Sequence, residues 1–167
     1  MAREEVTEKS IDELVTRAWK IAEDAHVSTL ITIEGGKAIA RPMGSKADRD
    51  AGVIRFLSSV ESRKVQQAER DGTAATVFCT HGNGYASFVG MLTVSNDRAQ
   101  IRDLWSAHDK AWWDSADDPE IRVVTFTPTE AELWDGPNKI AAVALMLTAA
   151  VTGAKPKMGD HARIPAR

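Results

Sequence analysis

The chain has 167 residues, of which 43% are hydrophobic and 27% are charged, and these proportions predict one globular domain rather than a disordered chain. Its net charge of −3 argues against general binding to nucleic acids or anionic membranes, although a local basic pocket is compatible with it. The single cysteine, Cys79, excludes an intrachain disulfide and a cysteine-based zinc cluster. Because Cys79 follows the apolar segment 74–78, it is expected in a buried strand.

Two segments of the sequence are candidates for a secretory signal or a membrane span, and neither has the expected pattern. The first ten residues, MAREEVTEKS, include acidic residues and no apolar core, so they do not resemble a secretory signal. The longest apolar run, Ile140–Val151, is shorter than the ~20 residues that a bilayer-spanning helix needs, and it predicts a helix buried in the protein or against a partner chain. We expect one domain over residues 10–152, tails at 1–9 and 153–167 (the latter mobile), and a cytoplasmic location.

The first part of the chain predicts a helix followed by a β-hairpin and a further strand. Ser10 and Glu13 have the spacing of a capping box, and the apolar residues after them recur at helical spacing. Gly35 and Gly36 follow a β-branched run and favour a hairpin turn. The predicted elements are a helix over Ser10–Ala25, strands over Val27–Ile33, Lys37–Met43 and Val53–Ser58, and a polar loop over Gly44–Gly52.

The second part alternates strands with short helices. Gly72 is expected to end a helix whose Val65 and Ala68 face inward, and Asp97 is expected to cap another helix. Pro128 separates two strand-like runs. The predicted elements are helices over Glu61–Asp71 and from Asn96 to Trp105, strands over Thr73–Thr80, Tyr85–Val94, Ile121–Phe126 and Thr129–Trp134, and loops over 81–84 and 114–119.

The order of these elements predicts the fold class. Strands joined by tight turns cannot be parallel, so the sheet should be antiparallel. We therefore expect a mostly β fold, a small antiparallel barrel of six to seven strands flanked by short helices, rather than a parallel α/β sheet. The sequence contains no internal repeat.

The familiar catalytic motifs are absent from the sequence. It contains no GxSxG, Walker loop, GxGxxG after a strand, or HExxH. The four histidines are scattered, which does not support a metal site. Asp114, Asp117 and Asp118 predict a solvated turn, because the loop lacks the EF-hand pattern.

Two basic segments contain the candidate binding residues. In the first, Arg41 precedes Pro42 at a strand end, and proline there marks an edge, a bend or a barrel rim because it cannot donate a ladder hydrogen bond. Arg41 either points into a cleft or is an ordinary surface arginine.

The second basic segment, FLSSVESRKVQQ at 56–67, joins a strand to a helix. Ser58, Ser59 and Ser62 offer hydroxyl groups, and Arg63 and Lys64 offer charged donors suited to an oxyanion. Cations are unfavourable at a helix N-terminus, where unpaired N–H groups already form the positive end of the dipole. Taken alone, the segment is either a solvated surface or a site for a terminal phosphate.

These pieces, in this order, resemble the FMN-binding split barrel of the pyridoxamine 5′-phosphate oxidase superfamily. The matching motifs are Arg-Pro-Met at 41–43, FLSSVESRK at 56–64 and YASFVG at 85–90. The later run WSAHDKAWW…DDP…FTPTEAELWD is similar to the general stress protein 26-like branch of the superfamily. The resemblance covers residues 10–136 or thereabouts, and it is specific through the ordered combination rather than through any one motif.

The resemblance implies a homodimer of split barrels with an FMN in each of two clefts between the subunits. Ser62, Arg63 and Lys64 would hold the phosphate. Tyr85 would present a polar side chain to the flavin, and Trp134 would approach from the second subunit. The other implied residues, which line the ring and ribityl chain or lie beside the flavin, are Arg41, Pro42, Met43, Leu57 and Ser58.

The resemblance also implies a function, a flavin-dependent oxidoreductase or flavin reductase acting on a small substrate, with a non-enzymatic flavin carrier or sensor in a stress response as the alternative. Pyridoxamine 5′-phosphate oxidation itself is disfavoured, because Trp134 is followed by DGPN at 135–138 and not by the Arg-x-His element of that enzyme. A deazaflavin would prefer a longer, more basic groove. Haem would want an axial histidine, for which His81 and His161 are the loop or tail candidates.

Overall fold

The computed structural model describes residues 10–80, 84–136 and 160–166. The predictions made for residues 1–9, for the turn at 81–83 and for the apolar run Ile140–Val151 lie outside the described residues. None of the helices described is both long enough and apolar enough to cross a membrane.

The described residues form eight β-strands and three α-helices, with one short 3₁₀ helix at Ala107–Ala111. Most predicted elements are confirmed to within a few residues. The elements are α1 (Ile11–Asp24), β1 (Val27–Glu34), β2 (Lys37–Gly44), β3 (Lys46–Asp48), β4 (Val53–Ser59), α2 (Arg63–Asp71), β5 (Thr73–Cys79), β6 (Gly84–Ser95), α3 (Arg98–Leu104), β7 (Ile121–Asp135) and β8 (Asp160–Pro165).

The local signals in the sequence act as expected. The backbone N–H of Ser10 donates to the Glu13 carboxylate at 2.8 Å, and the N–H of Glu13 donates back to the Ser10 hydroxyl at 3.3 Å. Gly35 and Gly36 have φ of 56° and 75°, as the tight turn between β1 and β2 requires. The Asp97 carboxylate caps α3 by accepting two backbone N–H groups at 2.9 and 3.1 Å.

The strands form one antiparallel sheet in the order β2-β1-β5-β6-β7-β4-β3, with β8 paired to β7. The edge strand β2 also contacts β4, so the sheet curls toward closure. This arrangement confirms the predicted mostly β fold and is consistent with a split barrel, with eight strands described rather than six or seven. The additional β3 lies within Gly44–Gly52, which the sequence predicted as a loop.

Strand β7 is continuous, although the sequence predicted two strands separated by Pro128. The pairing with β6 shifts register here, because Val89 faces Glu130 while Gly90 faces Pro128. Thr129 is thus an extra residue in a β-bulge, which lets a proline without an N–H donor remain inside a paired strand.

The prediction of a mobile C-terminal tail is wrong for β8. These residues pair antiparallel with the second half of β7. Ile164 and Ala166 are only 4% and 2% exposed, and the Trp19 indole donates to the Ala166 carbonyl at 2.9 Å. Two apolar anchors in a polar segment therefore dock it onto the sheet and α1.

The inner face of the sheet forms the main core beneath α1. Trp19 of α1 packs on Phe88 with ring centroids 5.4 Å apart, and Phe78 meets Phe88 edge-on at 5.9 Å. A second, smaller cluster of Ile101, Ile121 and Val123 lies under α3. The core thus has its aromatic centre between α1 and the sheet.

The opposite side of the sheet has a patch of partly or fully exposed apolar side chains among threonine and serine residues, and this patch is called here the outer face. Strand alternation points Cys79 outward next to the fully buried Phe78, so the prediction of a buried cysteine is wrong. In register order across β1, β5 and β6, the side chains that define the outer face are Ile31, Ala75, Val77, Cys79, Tyr85, Val89 and Met91. Within this face Tyr85, Val89 and Met91 are 44–48% exposed.

Candidate functional site

The candidate site is built around the N-terminus of α2. Strand β4 ends at Ser59, a turn closes through the Ser62 N–H to the Ser59 carbonyl at 3.0 Å, and Ser62 becomes the N-cap. The Ser62 hydroxyl makes no capping hydrogen bond to the helix; it lies 2.8 Å from the Ser58 hydroxyl. Two hydroxyl groups and the first N–H groups of the helix therefore lie together at the end of β4.

Arg41 reaches this helix from the inner side of β2. Its guanidinium donates to the Thr32 hydroxyl at 2.9 Å and to the Gln67 side-chain carbonyl at 3.1 Å. Burial is the main cause that lowers the pKa of Arg41, followed by the positive charge of Arg63. Arg41 is thus anchored between β1 and α2 by neutral partners.

Arg63 and Lys64 add two further cations at the first turn of α2. The exposed Arg63 guanidinium forms an ion pair with the Glu34 carboxylate. That hydrogen bond is the largest cause that lowers the pKa of Glu34, and Gln67 and Arg41 lower it further. The pKa of the half-buried Lys64 is also lowered, by burial first and by the charge of Arg41 second.

We call Arg41, Ser58, Ser62, Arg63 and Lys64 the anion site. The charge of Arg41 interacts with those of Arg63 and Lys64. Within the described part of the chain, Glu34 is the carboxylate that interacts with Arg63 and Arg41. Hydroxyl groups, helix N–H groups and excess positive charge together suit an oxyanion such as a phosphate. Among the described residues, no group of three His, Cys, Asp or Glu side chains could hold a metal ion.

Three other predicted residues lie near the anion site in the chain but face different surroundings. Pro42 is paired with Thr29 and is exposed on the side of the outer face. Met43 packs against the main core. Leu57 packs against the cluster under α3, so its side chain points away from that of Ser58.

Tyr85 and Trp134 lie elsewhere on the molecule. They are direct cross-strand partners on β6 and β7, 47% and 38% exposed, and Trp134 stacks on His161 of β8 at 4.8 Å. Strand β2 is three strand spacings from β6, about 14 Å, and Arg41 is on the other face of the sheet. One chain therefore does not bring Tyr85 and Trp134 to the anion site.

The residues that support the anion site belong to no motif of the sequence. Thr32 lies two positions after the buried Leu30, a spacing that puts both side chains on the same face of β1 and could have predicted its inward direction. Gln67 lies one helical turn after Arg63 and Lys64, a spacing that places it on their side of α2. Glu34 lies between the predicted strand and the hairpin glycines and carries no motif, and its pairing with Arg63 needs the tertiary structure.

Comparison with known proteins gives a consistent family. A model of the family described as "Pyridoxamine 5'-phosphate oxidase like" matches residues 13–157. General stress protein 26 of Bacillus subtilis (strain 168) is 25% identical over 145 residues, which are 83% of this chain and 95% of that protein.

Solved structures agree with this match. A general stress protein 26 from Jannaschia sp. CCS1 is 26% identical with a TM-score of 0.77, covering 93% of this chain and 99% of that chain. A structure described as the general stress FMN/FAD binding protein from Xanthomonas citri is 24% identical with a TM-score of 0.65, covering 77% and 91%. The second likeness is one of fold.

Proposed function

The chain belongs to the pyridoxamine 5′-phosphate oxidase-like family, and we propose that it is a general-stress-type protein that binds FMN at the anion site and serves as a flavin-dependent oxidoreductase or flavin reductase. The observation that carries the proposal is the excess of positive charge at the N-terminus of α2, where Arg41, Arg63 and Lys64 face one carboxylate. A fold relative described as FMN/FAD binding supports the choice of a flavin.

The residues of the anion site fit the phosphate of FMN. A phosphate monoester carries about −1.5 to −2 charges at neutral pH and accepts several hydrogen bonds. Arg63 can donate two parallel bonds to it, Lys64 adds a point charge, and Ser62 with the first N–H groups of α2 adds neutral donors. Arg41, already held by Thr32 and Gln67, raises the positive potential from behind.

The alternative, a solvated surface without a ligand, explains the arrangement less well. Cations at a helix N-terminus are unfavourable by about 0.3–1 kcal/mol each. Lys64 is half-buried next to Arg41 and its pKa is lowered, so its charge is disfavoured in the folded chain. Groups held in such an unfavourable state are typical of a binding site.

The chemistry in this proposal belongs to the cofactor, and the chain supplies binding and orientation. FMN, when bound, supplies hydride and single-electron transfer. Arg63, Lys64 and the two serines would fix the phosphate, and with it the direction in which the rest of the molecule extends. Arg41 would be held close to the cofactor by its bonds to Thr32 and Gln67.

A second copy of the chain is part of the proposal. Tyr85 and Trp134 cannot reach the anion site of their own chain, so they would contribute to the site of the partner. The apolar, exposed outer face, which includes Tyr85 and Val89, supports such a contact because apolar surface of this kind favours association. The proposed assembly is a homodimer with flavin between the subunits.

The phosphate role can be tested by titrating the protein with FMN and following flavin fluorescence. We expect the double variant Arg63→Gln with Lys64→Gln to weaken FMN by at least ~3 kcal/mol, about a hundred-fold in Kd. Arg70→Gln is the matched control, since Arg70 lies on the same helix about 10 Å further along. An unchanged FMN affinity in the double variant would rule out the phosphate role.

A flavin carrier or sensor is the second candidate function. It is favoured by the exposure of Arg63, whose side chain is 73% accessible, because an exposed contact suits a cofactor that exchanges. Anaerobic mixing of the FMN-loaded protein with NADH and NADPH separates the two. Bleaching of the flavin band followed by reoxidation with an added acceptor supports the oxidoreductase, and a flavin that stays oxidised supports the carrier.

A further inference from the structure

The Glu34 carboxylate is already paired with the Arg63 guanidinium, the group that the proposed function assigns to the phosphate. Glu34 lies at the end of β1, immediately before the hairpin glycines, and its carboxylate accepts a hydrogen bond from the Arg63 guanidinium. The Glu34 side chain is 34% exposed, whereas that of Arg63 is 73% exposed. The pair is thus at the rim of the anion site, where an incoming ligand can reach it.

The side-chain amide of Gln67 is a second indication that the site suits a further acceptor. Its residue is 6% exposed, and its side-chain carbonyl accepts from Arg41 at 3.1 Å and from the Thr32 hydroxyl at 2.5 Å. Its Nε2 faces the Glu34 carboxylate and helps to lower the pKa of that group, but it makes no hydrogen bond of normal geometry within the described part of the chain. A buried donor without a well-formed hydrogen bond is unfavourable, so this amide is suited to an oxyanion with more oxygen atoms than Glu34 offers.

The charge of the site indicates which anion fits. Arg41, Arg63 and Lys64 contribute three positive charges, and Glu34 removes one of them. A dianion in the place of Glu34 balances more of this positive charge than Glu34 does. A phosphate monoester is close to a dianion at neutral pH. A carboxylate, or a phosphate diester that links two groups, carries a single charge.

We propose that Glu34 sets the affinity and ligand class of the anion site, as an internal carboxylate that a phosphate monoester displaces from Arg63. This inference rests on the proposed function. A singly charged anion gains little over Glu34 at the Arg63 guanidinium and is excluded by competition. A phosphate monoester brings more charge and more acceptor oxygens, displaces Glu34 and can also accept from Gln67.

The test is the variant Glu34→Gln, titrated with FMN and with riboflavin, which lacks the phosphate. Removing the competing carboxylate should tighten FMN about three- to ten-fold, the range expected for one exposed charge pair acting on a doubly charged ligand. The affinity for riboflavin should not change. Glu69→Gln, an exposed carboxylate further along α2, is the matched control and should leave both affinities as they are.

A double-mutant cycle identifies Arg63 as the group for which Glu34 and the phosphate compete. In the background of Arg63→Gln, the gain from Glu34→Gln should disappear, because the shared partner has gone. Thermal unfolding of each variant checks that the fold is retained.

Two results overturn the inference, in different ways. If wild type prefers FMN to riboflavin but Glu34→Gln binds FMN equally or more weakly, Glu34 is inert or orients Arg63, and the inference fails while the phosphate site stands. If wild type binds FMN and riboflavin with equal affinity, the phosphate site itself is wrong and the inference falls with it.

Discussion

At the scale of single residues, the anion site combines one rigid cation with two less constrained ones. Arg41 is fixed by the buried Thr32 and Gln67. Arg63 is exposed and paired with Glu34, and Lys64 is half-buried with its pKa lowered. The charge of Arg41 is therefore held in place before any ligand binds. A fixed charge does not have to be reoriented on binding, which favours affinity.

Lys64 should destabilise the flavin-free protein. Burial and the charge of Arg41 lower its pKa below 10.5, so the penalty on its charged form is complete below the folded-state pKa and disappears as pH rises through it toward 10.5. Lys64→Met removes the charge and keeps an apolar stem. We expect the flavin-free variant to be more stable by about 0.3–1 kcal/mol at neutral pH, with a smaller gain at higher pH, while FMN binds more weakly.

Urea unfolding without flavin, at neutral pH and near the ordinary lysine pKa, measures this difference. Lys20→Met is the control, because Lys20 is an exposed member of an i,i+4 pair with Asp24 on α1 and should change stability little. A Lys64→Met variant that is less stable than wild type at neutral pH contradicts the electrostatic account.

At the scale of elements, the bulge between β6 and β7 depends on a glycine. A Cβ on Gly90 would lie 2.2 Å from the Thr127 carbonyl oxygen and 2.8 Å from the Pro128 Cα. Both are backbone atoms of the paired strand, so neither can rotate away. The bulge that admits Pro128 into β7 therefore requires a residue without a side chain at position 90.

Gly90→Ala should destabilise the protein by about 2 kcal/mol or more, in the range known for overpacking. The control is Gly44→Ala, because a Cβ on Gly44 meets nothing within 4 Å, and there the change should be neutral or slightly stabilising. The denaturant midpoints of Gly90→Ala and Gly44→Ala, each compared with that of the wild type, measure the two changes in stability. Equal stabilities would show that the strands can separate locally without cost.

The elements that the sequence predicted well are those determined by nearby residues. The capping box at Ser10 and the hairpin at Gly35 depend on contacts within a few positions, and both are confirmed. Strand β3 was missed because it has only three residues in a polar, charged segment, although its partner β4 follows directly in the chain. Strand β8 was missed because its pairing partner, β7, is distant in the chain. The continuity of β7 past Pro128 was missed for the same reason, since the bulge depends on Gly90 across the sheet.

The residues of the candidate site also fall into those that the sequence could predict and those that only the tertiary structure reveals. The sequence brought Arg41 together with Arg63 and Lys64 through a resemblance, and the structure places them together; their role in binding a cofactor stays a prediction. Glu34 and Gln67 carry no motif, and their part is visible only once β1 and α2 are packed. For Leu57, proximity in sequence to Ser58 does not reveal that its side chain packs under α3, and its place beside a flavin stays a prediction.

At the scale of the whole molecule, the anion site and the pair of Tyr85 and Trp134 lie on opposite faces of the sheet and several strands apart. The anion site lies at the edge strand β2 and α2, whereas Tyr85 and Trp134 lie at the far end of the outer face. Two copies that meet through this face could bring the second group of one chain to the first group of the other. The proposed dimer and the proposed flavin site are therefore linked.

Val89→Glu should disrupt both together. Val89 is 44% exposed on the outer face, and a charge buried there in a dimer would be costly. We expect light scattering to show a monomer in place of a dimer and FMN to bind at least about ten-fold more weakly. Ile11→Glu, at an exposed apolar position in the first turn of α1, should change neither property. A Val89→Glu variant that remains dimeric with full FMN affinity contradicts the link.

The central claim, that this chain binds FMN with its phosphate at the anion site, is tested most directly by a crystal structure of the protein grown with FMN. We expect the phosphate to lie within about 3 Å of the Arg63 guanidinium and the Ser62 hydroxyl, with Glu34 turned away from Arg63. A flavin phosphate bound elsewhere, or an anion site that keeps the Glu34–Arg63 pair while flavin is bound, would contradict it.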